Sequence, residues 1–191
     1  PSEHSVEVGE HVVVQIDRYP EERQQACGHI IRALGVEGRP GFEIDLAIET
    51  YAIPTEWPLD ALEQAAAYTQ PVHAEDSGRV DLRSWPFVTI DGESARDFDD
   101  AICVERLAQG GWRLSVAIAD VANYVESDSA LDIEAINRGN SVYFPKRVIP
   151  MLPEALSDDL CSLKPDCDRF AVVVHLTLND EGILHKTEYV R

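Results

Sequence analysis

Residues 170–190 read FAVVVHLTLNDEGILHKTEYV. Two runs rich in β-branched and apolar residues flank Asn-Asp-Glu-Gly, a strong hairpin signal that commits this part of the chain to an antiparallel sheet. Upstream, FVTID (87–91), AICVERL (101–107) and WRLSVAIADV (112–121) have the same character, and AQGG (108–111) supplies a turn. Between these runs and the hairpin, SDSALDIEAINRG (127–139) predicts a helix. Ser127 to Ser129 are its cap candidates, Leu131, Ile133, Ala135 and Ile136 are its apolar positions, and Gly139 is its terminator. SVYFPKRVIPMLP (141–153) reads as an extended, proline-marked loop.

The first third also reads as β. EHVVVQI (10–16), ACGHIIRAL (26–34) and FEIDLAIETY (42–51) are predicted strands, separated by RYPEE and GVEGRPG. Three strands rarely close a barrel, so sheet partners are expected before residue 1. PTEWPLDALEQAAAYT (54–69) then predicts a helix, with Pro58 in its first turn and Leu59, Leu62 and Ala66 on its apolar face. Residues 70–86, with one glycine and two prolines, read as a linker. The fold class is α+β and β-rich: a partial OB-like barrel, a helix and linker, then a second sheet-based unit.

Bulk properties restrict the partners. The net charge is −19, with 14 acids and 4 bases in residues 1–75 and 21 acids and 12 bases in residues 76–191. Such a surface repels nucleic acid on average, so RNA binding requires a local site or basic parts elsewhere. No run of about 18 apolar residues is present, so no membrane span is expected. The start, PSEHSVEVGEH, has neither signal-peptide character nor an initiator Met, and reads as cut from a longer chain. Cys27, Cys103, Cys161 and Cys167 lack zinc spacing and read as free, buried thiols of a cytoplasmic protein. The histidines are equally dispersed.

TIDGESARDFDD (89–100) carries Asp91, Asp97, Asp99 and Asp100 between two predicted strands. Two like charges at ~4 Å cost on the order of 4 kcal/mol at an effective dielectric of 20, so this block needs water or a cation. Residues two apart in an extended chain share a side, which lets Asp97 and Asp99 aim at one point. A tight turn at Asp99–Asp100 would add Asp100, and the Gly92-Glu93-Ser94 turn would bring in Asp91. Carboxylates are the ligands hard cations prefer. An EF-hand loop is excluded, because counting from Asp97 puts Ala101, Ile102 and Ala108 at positions five, six and twelve. A solvated acidic loop and a Mg²⁺ site for phosphoryl chemistry both remain open on spacing.

FVTIDGESARDFDDAICVE resembles the start of the catalytic domain of the ribonuclease II/ribonuclease R family of exoribonucleases. The resemblance continues through VAIADVANYV and INRGNSVYFPKRVIPMLPEALSDDLCSLKPDCDR. GHIIRALG and GRPGFEIDLAIETYAIPTEWP are similar to the end of the second cold-shock (OB-like) domain before it. The implied organisation is residues 1–57 for the cold-shock part, 58–85 for helix and linker, and 86–191 for the first part of the catalytic domain. The implied activity is processive 3′-to-5′ hydrolysis of single-stranded RNA to nucleoside 5′-monophosphates with Mg²⁺, Mn²⁺ being the alternative. No DNA or membrane partner is expected.

By position, the resemblance implies that Asp91, Asp97, Asp99 and Asp100 are the catalytic and metal-binding acids, Asp99 being the most damaging to lose. It implies that Tyr143 packs against the 3′-terminal nucleotides. Lys146 and Arg147 are RNA-binding candidates by adjacency. Asp120 reads as a turn cap, and Asp158 and Asp159 as first-turn helix acids outside the site. The family's site also draws an arginine and a glutamate from beyond residue 191, so these residues alone are expected to be inactive. Open sheet edges make self-association the expected consequence.

Overall fold

The computed structural model describes residues 6–68, 78–93 and 95–191, so part of the predicted linker and Ser94 lie outside the described residues. The chain forms two compact units, one of residues 1–56 with 143–147, the other of residues 57–142 with 148–191. The content is β-rich with helices, as the sequence predicts.

In the first unit, β1 (His11–Arg18) and β2 (Cys27–Gly35) pair antiparallel. Gly28 lets the strands approach closely, because any Cβ there would collide with the Gln15 carbonyl oxygen. The third predicted strand is instead a helix, α1 (Phe42–Thr50). Phe42, Ile44, Leu46 and Ile48 satisfy a period of two, but the fold buries Phe42 and Ile48 and leaves Leu46 37% exposed. Glu43 and Asp45 lie in the first turn, where the helix dipole favours negative charge. Phe42 meets His11 edge to face at 4.9 Å, which fixes α1 against the hairpin.

The second unit is built on a four-stranded antiparallel sheet in the order β3 (Asp100–Arg106), β4 (Trp112–Ala119), β7 (Ala171–Leu178), β8 (Leu184–Val190). The β7–β8 hairpin forms around residues 179–183, with the Asn179 amide donating to the Ile183 carbonyl. Residues 87–91 are not a strand. Val88 alone bridges to Ile102, and Phe87 packs instead on the core face of the sheet beside Ala101, Ala117 and Val173. Residues 142–149 are not a loop but a hairpin of β5 (Val142–Phe144) and β6 (Arg147–Ile149). Pro145 and Lys146 turn it, and the positive φ of 64° at Lys146 after a proline is the signature of a type II turn.

Helix α2 (Leu59–Ala67) forms with Pro58 just before its first turn, but its buried face is not the predicted one. Ala61 and Ala65 are buried, whereas Leu59 is 71% exposed. Small residues allow close packing on α3 (Ala130–Arg138), whose first turn is tied to α2 where the Leu131 amide donates to Gln64 Oε1 at 3.0 Å. Ser129 caps α3 and Gly139 ends it, as predicted. Ile133 and Ile136 face outward, while Glu134 is buried with Arg138, whose guanidinium stacks 3.4 Å from the Trp57 ring centre. Among the described residues no helix is long and apolar enough to cross a membrane. Cys103 and Cys161 are buried free thiols; Cys27 and Cys167 are free but exposed.

Candidate active site

The aspartates lie on the stretch that leads from the Val88 bridge into β3. The Ala95 amide donates to the Gly92 carbonyl at 2.9 Å, closing a turn after Asp91. Beyond it the chain has no regular structure until β3 and is held by two backbone bonds of 2.9 Å: Leu163 N–H to Phe98 O and Ala119 N–H to Asp99 O. Asp100 begins β3 opposite Ile118, so the tight turn expected at Asp99–Asp100 is absent. The ladder simply starts one residue early, at the Asp99 carbonyl.

Asp97 is half-buried, and Asp91, Asp99 and Asp100 are exposed. The four share one electrostatic neighbourhood. Partial desolvation, and then the charges of Asp97, Asp100 and Asp91, push the Asp99 carboxyl above its ordinary value. Burial pushes the neighbouring Cys161 thiol up to about 12, and the Asp99 charge adds to the effect. The donor chemistry fits a hard cation: all four ligand candidates are carboxylates, and the ionised form of one is disfavoured by desolvation and by its acidic neighbours. The arrangement is nonetheless open. Among the described residues, no three His, Cys, Asp or Glu side chains stand in metal-binding geometry.

The other candidates lie elsewhere. Tyr143, Lys146 and Arg147 belong to the first unit, whereas the aspartates belong to the second. Tyr143 is 62% exposed. Arg147 pairs with Asp45 at 3.2 Å, and Asp45 also holds Arg39. Arg147 is therefore a partnered cation, which adjacency in sequence did not reveal. Asp158 lines a cavity of about 650 Å³ with Arg96, Phe98, Glu154, Lys164 and Cys167, inside a π-helical turn, Ala155–Leu160. Asp159 pairs with Lys164 and Arg169.

Asp120 is not a turn cap. Its side chain makes no capping bond; it is buried and receives Arg79 Nη2 at 2.7 Å and Arg191 Nε at 2.6 Å. Burial opposes its charge, but the hydrogen bonds from Arg191 and Arg79 outweigh burial and hold the carboxyl below its ordinary value. Its partners stand 41 and 71 residues away, so no local signal marks them. Beside this cluster, a cleft of about 890 Å³ runs along the core face of the sheet, lined by Trp85, Phe87, Leu163, Arg83, Arg169 and Arg191 among others.

Residues 79–191 match the RNB domain and residues 1–58 a cold shock domain. Ribonuclease R of Vibrio cholerae is 52% identical over 178 residues, covering 93% of this chain and 22% of that protein. Ribonuclease R of Escherichia coli is 51% identical over 174 residues, covering 91% of this chain and 21% of that protein. Mycoplasma genitalium RNase R, solved in complex with double-stranded RNA, superposes with a TM-score of 0.85 at 34% identity, covering 95% of this chain and 32% of that one. The chain spans about a fifth of the length of these curated relatives. With the RNB match extending over residues 79–191, more than half of its length, the chain belongs to the RNB-domain family of the ribonuclease R type.

Proposed function

We propose that the protein carrying this chain is a Mg²⁺-dependent exoribonuclease that hydrolyses single-stranded RNA processively from its 3′ end to nucleoside 5′-monophosphates. The observation that carries the reading is the crowding of negative charge on Asp99 by Asp97, Asp100 and Asp91, in a block that a cation would relieve. Asp91, Asp97, Asp99 and Asp100 are the residues that would hold Mg²⁺, or Mn²⁺. When bound, such an ion supplies an activated water and neutralises the charge that builds on the phosphate during attack. The chain's own part is to present carboxylates at a fixed start of β3, with the Asp99 carbonyl anchored to Ala119.

In this reading residues 1–57 are the end of a cold-shock domain, 58–85 a helix and linker, and 86–191 the first part of the catalytic domain. Exposed Tyr143 supplies a stacking surface for a terminal base, worth about 1–3 kcal/mol. Lys146 and Arg147 meet phosphate, Arg147 exchanging Asp45 for it. The free thiols suit a cytoplasmic setting. Alone, the 191 residues are inactive and associate through the exposed edge strand β8, most of whose residues face solvent.

A non-catalytic RNA-binding or assembly module of the same fold is the second reading. It is favoured by the absence, among the described residues, of a side-chain triad in metal-binding geometry. The two separate in one assay. Single-stranded RNA labelled uniformly at its internal phosphates is given to the full-length protein with Mg²⁺, and the products are resolved. The nuclease reading expects free nucleoside 5′-monophosphates and loss of this activity on chelation. Products ending in 3′-phosphate, or intact RNA bound without turnover, would contradict it.

A further inference from the structure

We infer that Ser162 is a positioning residue for the aspartate block, an inference that rests on the nuclease reading above. Ser162 is 1% exposed, and its hydroxyl both donates and accepts a hydrogen bond. It donates to the Arg96 carbonyl at 2.6 Å and accepts from the Phe98 amide at 3.1 Å. Those two groups lie on either side of Asp97. One hydroxyl therefore fixes both peptides whose rotation would swing the Asp97 carboxylate, and it does so 66 and 64 residues away in sequence. The Leu163 amide grips the Phe98 carbonyl from the same strand of chain, and Ala119 holds Asp99.

Ser162 is itself immobilised. Its amide donates to the Asp159 carbonyl at 3.1 Å, and its carbonyl accepts from the Lys164 amide at 2.8 Å and from Arg169 Nε at 3.0 Å. It follows a π-helical turn in which the Cys161 amide reaches back five residues to the Leu156 carbonyl. π-Turns of this kind recur at functional sites. Here the turn is followed by Cys161 in the core cluster and Ser162 on the aspartate stretch. The serine is thus a rigid post against which the metal-facing segment is set. Groups that orient ligands in this way usually change metal affinity when lost, without touching substrate.

The test uses the full-length protein with Ser162→Ala, Ser162→Cys and, as control, Asp99→Asn. Three quantities are measured: kcat and KM on single-stranded RNA, Mn²⁺ affinity without RNA by electron paramagnetic resonance, and hydrogen exchange of the Phe98 amide. Ser162→Ala is expected to lower kcat about 10- to 100-fold with KM within about twofold. It should also weaken Mn²⁺ binding about 10-fold or more and accelerate Phe98 exchange. Ser162→Cys, of similar size with a weaker hydrogen-bonding group, should fall between. If Ser162→Ala does not fold, Ser162→Cys decides alone. A folded Ser162→Ala or Ser162→Cys protein with wild-type kcat and Mn²⁺ affinity overturns the inference, provided Asp99→Asn is inactive. Full activity in Asp99→Asn would instead overturn the nuclease reading of the block.

Discussion

Asp99→Asn in the full-length protein is expected to lower turnover on RNA by at least about 10²–10³-fold, the scale on which single charge-stabilising groups act. Its effect on stability should have the opposite sign. Asp99 carries a charge that partial desolvation and three neighbouring aspartates disfavour, so a neutral amide of the same shape relieves repulsion. The backbone anchor survives, because Ala119 binds the Asp99 carbonyl and not its carboxylate. Melting temperature should therefore hold or rise while kcat collapses, and RNA affinity should change little. A site that costs stability to maintain is what function at these residues requires. Single-turnover rates and thermal melts of the two proteins check both halves; unchanged turnover would remove Asp99 from the reaction.

Asp120→Ala is expected to destabilise the second unit by about 3–5 kcal/mol, the cost of leaving a buried charge without its partner. The lower end applies, because Arg191 is 54% exposed at its side chain and can regain water. Arg79 cannot do so as easily. Its guanidinium lies 4.1 Å from the centre of the Phe170 ring, its Nη1 is buried with no hydrogen-bond partner among the described residues, and Asn123 would be its remaining acceptor there. The pH dependence follows the depressed Asp120 carboxyl. Its stabilisation is fully present above the unfolded-state value near 4 and is lost as pH falls through the lower folded value. Wild-type stability should thus fall as the solution is acidified below about pH 4, and Asp120→Asn should flatten that part of the curve. Denaturant unfolding between pH 3 and 7 measures both, and equal slopes would exclude Asp120 as the group responsible.

Legibility in the sequence followed the range of the interactions. β3, β4, β7 and β8 were readable because β-rich runs and turn residues lie next to each other in the chain. The 42–50 segment was misread because its alternation fits a strand, while Leu46, facing out, is what the helix requires. The face of α2 was misassigned because Leu59 and Leu62 look like core residues, yet only the alanines allow α3 to come close. The aspartate block was visible as a cluster, but not its supports. Ser162, Ala119 and the arginines on Asp120 act across tens of residues, and nothing local to Ser162 distinguishes it from any serine after a helix. Arg147 likewise has a partner, Asp45, 102 residues away, which its adjacency to Tyr143 does not reveal.

The four-aspartate block is proposed to hold the divalent ion of an RNA hydrolase. Mn²⁺ titration of the full-length protein, followed by electron paramagnetic resonance, tests it most directly. The wild type is compared with the triple substitution Asp97→Asn, Asp99→Asn, Asp100→Asn. Saturable binding in the wild type, displaced by Mg²⁺, is expected, together with loss of that binding and of RNA degradation in the triple variant. Identical Mn²⁺ binding in the two proteins, with degradation unchanged, would contradict it.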